Sequence, residues 1–504
     1  MRQCPLLGGH VQKFDESSAQ HISGVVKAVQ LDEHCVAVVA HSSWAALKGA
    51  RELQVQWAHG FHEQLDSAQI QQQLWQALDE HKPTRFRKIG EALAELDNTQ
   101  AGQRIVRADY EVPFLAHAAM EPLNATARWN PPVAEKAQAG RLSLWCGTQS
   151  PTLARLKAAQ LADIDMDAVD LHIPFLGGGF GRRLETDVVE QVTRLALMFP
   201  GRAVQLLWSR EEDMQHDFYR PAAVSRLSAK LDAQGRVRAW HHRVAAPSVS
   251  HETTLRILPH SLTEHLPMMP DKVQIEGAFD LPYAIEHQQV DQVLSATPVP
   301  VGSWRSVGHS YNAFFTECFL DELAHASGQD PLAYRQAMLT QRPRHQAVLN
   351  KVAQISDWKS PRKGAALGIA LHESFGSICA QVAEVVREGS TPRVTRVWCV
   401  IDCGTAIHPD GIVAQMESAV AFGLSAALQG RIMVAHGQIQ QSGFADYPVV
   451  RMRDMPQVKV EIMPSSAPPG GVGEPGTPPV APAVANAWFA LTGQRLRSLP
   501  LMPA

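Results

Sequence analysis

The chain is 504 residues long, 45% hydrophobic and 19% charged, with a formal net charge of −4. Such a composition builds cores and excludes a disordered chain, and the length predicts about three domains. No long Lys or Arg run is present, which argues against nucleic acid or an anionic membrane as the main partner.

The N-terminus, MRQCPLLGGH, has neither an apolar leader core nor twin arginines. No signal peptide is expected in this chain, and the compartment stays open between cytoplasmic and, through a signal-bearing partner, periplasmic. Alternation over Ile22–Val29 and Cys35–Ala40 predicts short strands. Glu63–Thr99, rich in Gln and charge, is expected as surface helix, and strands resume at Arg104–Val112 and Arg141–Cys146. Leu171–Leu176 reads as a strand leading into Gly177–Gly181. A helix then carries Leu184, Val188, Val192 and Leu195 and stops at Pro200-Gly201. Ser310 is placed to cap a helix bearing Phe315, Phe319 and Leu323, ended by Gly328.

A Pro- and Arg-rich break at Gln341–Gln346 reads as a linker. Strands are expected over Gly368–Val386 and Val394–Asp402, and a helix over Pro409–Leu428. A strand, the Pro/Gly-rich loop Pro464–Pro482 and a last helix complete the chain. The uncharged stretch Pro475–Gln494 contains four prolines, so it is no clean membrane span, and a soluble chain is expected. Strands alternating with helices, without a long repeat, predict a mixed α/β (α+β) architecture.

Seven cysteines, at positions 4, 35, 146, 318, 379, 399 and 403, form no Cys-x-x-Cys. They read as buried hydrophobes; neither a disulfide framework nor an iron–sulfur or zinc site made by this chain is expected. Gly177–Gly181 is the strongest local feature. Glycines allow close backbone approach, and a loop opening into a helix N-terminus favours an anion, with Arg182 and Arg183 adding charge. The alternative is a tight strand-to-helix turn. A second glycine-rich loop, Pro469–Gly476, holds one carboxylate, Glu474, with no basic neighbour in sequence. Burial would raise its pKa and suit it to general-base work, whereas exposure would make it an ordinary loop acid. His117 and Glu121 have no further ligand close in sequence, so a hydrogen-bonded histidine is expected there rather than a metal site. Gln149 stands at a strand end, Arg305 follows Trp304, and Asp402–Asp410 leads from a strand to Gln415 in a helix. Ser209–Glu212 reads as a capping box.

Taken in order, MEPLN, GTQSP, LGGGFGRR, WSREED, WRSVGHSYNAFFTECFLDELA, IDCGTAIHPD and PGGVGEPGTPPVAPAVANA resemble the molybdenum hydroxylase (xanthine oxidase/aldehyde oxidase) family. Within it, the chain is most similar to large molybdopterin-binding subunits of the isoquinoline 1-oxidoreductase and bacterial aldehyde dehydrogenase branch. The resemblance implies xanthine oxidase-type domains. Residues 1–60 would be a partial N-terminal α/β segment, 61–340 a first molybdopterin-binding domain and 341–504 a second. It implies a molybdenum-pyranopterin cofactor in its cytosine dinucleotide form, its metal held by the pterin dithiolene and by no protein ligand. Gln149, Gly178, Gly179, Phe180, Gly181, Gln415 and Gly473 would bind that cofactor. Arg305 would orient substrate and Glu474 would be the catalytic base.

The activity implied is hydroxylation of an aldehyde or N-heteroaromatic carbon with water-derived oxygen. Electrons would leave to a small two-cluster iron–sulfur subunit. The family's large subunit is longer at its N-terminus and carries a Gly-Gln-Gly that this sequence lacks. His408, Ser418 and Ala125 stand where the family has Asn, Gly and Cys. The expectations that follow are that a separate chain supplies the missing lobe, that the sequence is a fragment, or that the chain is a truncated, non-catalytic remnant or half-subunit that binds partners but no molybdenum by itself.

Overall fold

The computed structural model describes residues 1–98, 100–132, 139–258, 260–264 and 266–502. Strands Val25–Asp32 and Cys35–Ala40 form an antiparallel hairpin edged by Arg2–Gln3. Helix Ser43–Glu52 follows, its first turn capped by the Ser42 side chain. Glu63–Thr99 is not all helix. Helix Ser67–Glu80, opened by a capping box of Asp66 and Gln69, is followed by strand Thr84–Ile89 and helix Ala92–Asp97; Thr99 lies outside the described residues. The strand reads as polar, TRFRKI, because it is an edge strand with one side in solvent.

That edge strand begins a five-stranded sheet. It continues through His287–Leu294, Val237–Ala246, Ala223–Leu231 and Arg104–Val112, with one parallel pair between the second and third. A four-stranded sheet (Val169–His172, Arg141–Cys146, Asn124–Asn130, Ala203–Leu207) is covered by helices Pro151–Ala162 and Asp187–Met198. A third sheet orders Ala365–Ser374, Ser377–Glu388, Thr391–Asp402 and Gln457–Ile462. The expected strand Gly368–Val386 is therefore a hairpin turning at Phe375-Gly376.

The core lies between the five-stranded and third sheets. Helix His309–Ala326 is buried on every face from His309 to Ala324 and packs on Arg104–Val112 and Ala223–Leu231. Its other side meets helix Val480–Thr492, which lies on the third sheet so closely that a Cβ at Gly368 would sit 2.1 Å from the Ala487 nitrogen. Buried on every face, the helix has to pair the charged side chains it carries, among them Glu317, Asp321 and Glu322. Its one buried Glu–Arg pair is fully used: Glu317 takes Arg335 Nε at 2.9 Å, the Tyr283 hydroxyl at 2.6 Å and the Leu371 amide at 3.0 Å. The third sheet is thereby tied to the middle of the chain.

Four boundaries differ from expectation, the first being the strand expected over Ile22–Val29, which runs Val25–Asp32. Helix His309–Ala326 has Gly308 at its N-cap, and the Ser310 hydroxyl instead donates to the Val307 carbonyl. The expected linker at Gln341–Gln346 is largely the first turn of helix Pro343–Ile355, with proline in its favoured first position. The strand before Gly177 ends at His172, and Leu184 sits in a 3-10 turn, Arg182–Leu184, ahead of the helix. Helix Pro409–Leu428 is long and apolar enough to cross a membrane. Here it packs against Gln457–Ile462 and Val480–Thr492.

Candidate functional site: two glycine loops joined at Arg305

Glu474 is held by the turn before the buried helix. Its Oε1 accepts the Ser306 amide at 3.0 Å, and the Ser306 hydroxyl donates to the Glu474 carbonyl at 2.8 Å. Ser306 and Val307 have φ of +75° and +38°, a left-handed conformation that a β-branched residue rarely adopts. Oε2 of Glu474 has no protein donor among the described residues. Burial raises the carboxyl pKa, while the Ser306 amide and Arg305 partly offset it. The proton is therefore held more tightly than on an ordinary glutamate.

The lack of a basic neighbour holds only in sequence, because the fold brings Arg305 to the loop. Arg305 Nε donates to the Gly473 carbonyl at 2.7 Å and Nη1 to the Ser418 hydroxyl at 3.1 Å. Nη2 donates to the carbonyl and Oε1 of Gln415 at 3.2 and 3.1 Å. All three nitrogens donate to protein acceptors, so the guanidinium implied to orient substrate also ties the glutamate loop to the helix. Burial lowers its pKa to about 10, opposed by Glu474.

The other glycine loop reaches the same arginine. Arg305 lies 5.9 Å from the rings of both Phe180 and Phe422. Phe422 is stacked between Phe180 (4.3 Å) and Trp304 (4.6 Å). Glycine is required here: Gly181 has φ +110°, and a Cβ on it would lie 1.5 Å from the Ser303 carbonyl oxygen. Gln149 closes the loop, its Oε1 accepting the Gly181 amide at 3.1 Å. Its side-chain nitrogen has no protein acceptor among the described residues.

The expected anion-binding helix N-terminus is corrected. The 3-10 turn intervenes, and both arginines point inward. Arg182 pairs with Asp187 at 2.5 Å and Asp217 at 3.1 Å, and Arg183 with Glu121 at 2.7 Å. The loop's anion-binding capacity lies in its backbone. The amides of Gly178, Gly179 and Phe180, like those of Val472, Gly473 and Glu474, donate to no protein acceptor among the described residues. Around Gly473 no atom would meet an added Cβ within 4 Å. Two sets of free amides at glycine loops joined through one arginine suit an anionic, oxygen-rich group. They therefore fit a pterin phosphate or metal-oxo ligand.

Several flanking features are structural. His117 is a satisfied buried histidine, with Nδ1 on Asp217 at 2.8 Å and Nε2 on the Ser303 carbonyl at 3.1 Å. Ser209 accepts the Glu212 amide at 3.3 Å as a cap, but the expected box is only half formed, since the Glu212 carboxylate takes the Gln3 amide at 3.1 Å. His408, in the family's Asn position, performs the same N-cap task by accepting the Gly411 amide at 2.8 Å. Ser418, in the Gly position, supplies an acceptor for Arg305. Among the described residues no group of three or more His, Cys, Asp or Glu could hold a metal ion. Sequence reasoning missed Phe422, which carries no local motif of its own, and gave Ser306 and Ser418 no role at the site. A cavity of about 330 Å³ opens beside the stack, lined by Phe180, Trp304, Phe422, Ser418, Tyr447 and Val449 among others.

The chain is 33% identical to the isoquinoline 1-oxidoreductase subunit beta of Brevundimonas diminuta, over 99% of this chain and 64% of that protein. It is 29% identical to a membrane-bound aldehyde dehydrogenase [pyrroloquinoline-quinone] of Gluconacetobacter polyoxogenes, over 99% of this chain and 66% of the relative. It thus spans about two thirds of the length of these relatives. Quinoline 2-oxidoreductase from Pseudomonas putida 86 shares the fold, with a TM-score of 0.80 at 15% identity, covering 100% of this chain and 93% of that one. Two models of the molybdopterin cofactor-binding domain match residues 78–339 and 345–456. The chain belongs to the molybdopterin cofactor-binding domain family, as found in molybdenum hydroxylases of the xanthine oxidase type.

Proposed function

We propose that this chain is the molybdopterin-binding part of an oxidoreductase that hydroxylates an aldehyde or an N-heteroaromatic carbon with oxygen from water. Isoquinoline, quinoline and aldehyde in the relatives' names support that substrate range. The observation that carries the proposal is Glu474: a carboxylate with a raised pKa, one oxygen anchored by Ser306 and the other free, beside two sets of unpaired loop amides.

A molybdenum pterin, when bound, supplies a two-electron acceptor and makes water acidic enough to serve as nucleophile. The amides of Gly178, Gly179, Phe180 and Gly473 hold it, Gln149 and Gln415 contribute their side-chain nitrogens, and Gly181 keeps the loop tight enough for that approach. The cytosine dinucleotide form is part of the proposal. Glu474 accepts at Oε2 the proton released as oxygen bonds to the substrate carbon. Arg305 is a positioning residue that keeps Gly473 and Gln415 in register with Ser306, so the base does not wander. The electrons pass to a small two-cluster iron–sulfur subunit, and a further chain completes the site if the remaining third of the relatives' length is encoded separately. The domain division at residues 60 and 340 belongs to the same reading.

The test is Glu474→Gln in the assembled enzyme. Loss of about a hundredfold or more in turnover, with cofactor content intact, is expected for removal of a general base. Turnover within tenfold of the parent would remove Glu474 from that role.

A further inference from the structure

Phe375 and Gly376 form the two-residue turn between strands Ala365–Ser374 and Ser377–Glu388. Their φ values are +53° and +76°. Two positive values define a turn that Asn, Asp and Gly adopt readily and a bulky aromatic does not. The strain is not spent on a fully buried core position, since Phe375 is 38% exposed. A strained aromatic left in solvent points to a use beyond folding.

Its surroundings say where that use lies. The Phe375 carbonyl accepts the Gly471 amide at 2.7 Å, and a Cβ on Gly471 would meet the Phe375 Cβ at 2.9 Å. On its other side the ring lies 5.4 Å from the His309 imidazole. Gly471 is three residues before Glu474 on the same loop. His309 opens the helix that follows Ser306, whose amide holds Glu474. Phe375 thus lies between the two segments that position the base.

The backing is closely packed. His309 Nδ1 and His372 Nε2 lie 2.9 Å apart, and a Cβ at Gly277 would sit about 3.0 Å from both rings. Burial depresses both histidines, His309 to about 4, so the backing is uncharged at neutral pH. The charged groups facing it are Glu276, 3.8 Å from His309 Nε2, together with Lys272 and Glu373.

We propose that Phe375 is a specificity-determining wall of the substrate site, offering its exposed ring to a flat aromatic or N-heteroaromatic substrate in preference to a short aliphatic aldehyde. This rests on Glu474 being the base. The test uses the assembled holoenzyme and the ratio of kcat/KM for benzaldehyde to that for acetaldehyde. Phe375→Gly and Phe375→Asn both suit the turn, so neither should impair folding. The ratio is expected to fall about tenfold, the loss of one aromatic stacking partner, and to be retained in Phe375→Tyr. A ratio unchanged within twofold, while Glu474→Gln abolishes turnover, overturns the wall and leaves the base standing. Turnover surviving Glu474→Gln overturns the base itself, whatever the ratio does. Loss of subunit assembly in Phe375→Gly, seen by size-exclusion chromatography, makes the ring an interface residue and overturns the proposal.

Discussion

Gly181→Ala and Gly473→Ala place the same methyl group in opposite surroundings. At Gly181 the methyl would lie 1.5 Å from the Ser303 carbonyl oxygen, at a φ of +110°. The conformation alone costs an alanine about 1–3 kcal/mol. Relieving a clash with backbone adds a similar overpacking cost, so a loss of about 2–6 kcal/mol is expected. At Gly473 an added Cβ meets nothing within 4 Å and needs no left-handed backbone, so stability should stay within about 0.5 kcal/mol. Cofactor content should not follow that contrast. If the backbone at Gly473 approaches the pterin, its alanine variant loses cofactor while remaining as stable as the parent. Urea unfolding of the cofactor-free chain and fluorescence of released, oxidised pterin in the assembled enzyme measure the two effects separately. A Gly473→Ala chain with full cofactor would refute the close approach. A Gly181→Ala chain as stable as the parent would refute the packing described around Ser303.

Other expectations are equally direct. Glu474 has a raised pKa, and a base must be ionised. The acid limb of kcat/KM should therefore lie above the ordinary glutamate value; a limb at or below that value contradicts the burial argument. The folded state also binds this proton more tightly than the unfolded one, so the group's contribution to stability falls as pH rises from the unfolded to the folded pKa. Arg305→Met removes the nearby cation that lowers the Glu474 pKa. The same limb should move further up, and an unmoved limb would mean that Arg305 acts by packing alone. Glu317→Leu leaves buried Arg335 with only Asp321, 3.9 Å away, as a carboxylate partner and should destabilise the chain by about 3–5 kcal/mol; urea denaturation showing less than about 1 kcal/mol would mean that Asp321 or water takes over the pairing.

Local periodicity made much of the framework legible. Helix Pro409–Leu428 occurs where the pattern puts it, because it buries Ile412, Met416, Ala419, Val420, Gly423 and Leu424 at helical spacing, and strand Cys35–Ala40 does too, although its first four residues are buried in a row. Edge and turn segments were harder. Thr84–Ile89 pairs on one side only and keeps its charges in solvent, so no apolar alternation marks it. The Phe375-Gly376 turn is hidden because it carries Phe where such turns usually carry Asn, Asp or Gly. The site divides similarly. Both glycine loops announce themselves, since nothing but glycine fits Gly181. The chemistry of Glu474 depends on Arg305 and Ser306, which only the tertiary fold brings near. Phe422 lies inside an apolar helix where nothing separates a core residue from the centre of a ring stack. The inward turn of Arg182 and Arg183 follows from Asp187, Asp217 and Glu121, two of them distant in sequence.

The central claim is that these loops hold a molybdenum pterin. Its most direct measurement is the molybdenum and pterin content of the chain, purified after co-expression with its genomic neighbours. The account predicts molybdenum and a releasable pterin nucleotide in equal amounts, one set for each copy of the chain. A pure, folded assembly containing neither would contradict it and leave the truncated, non-catalytic remnant in its place.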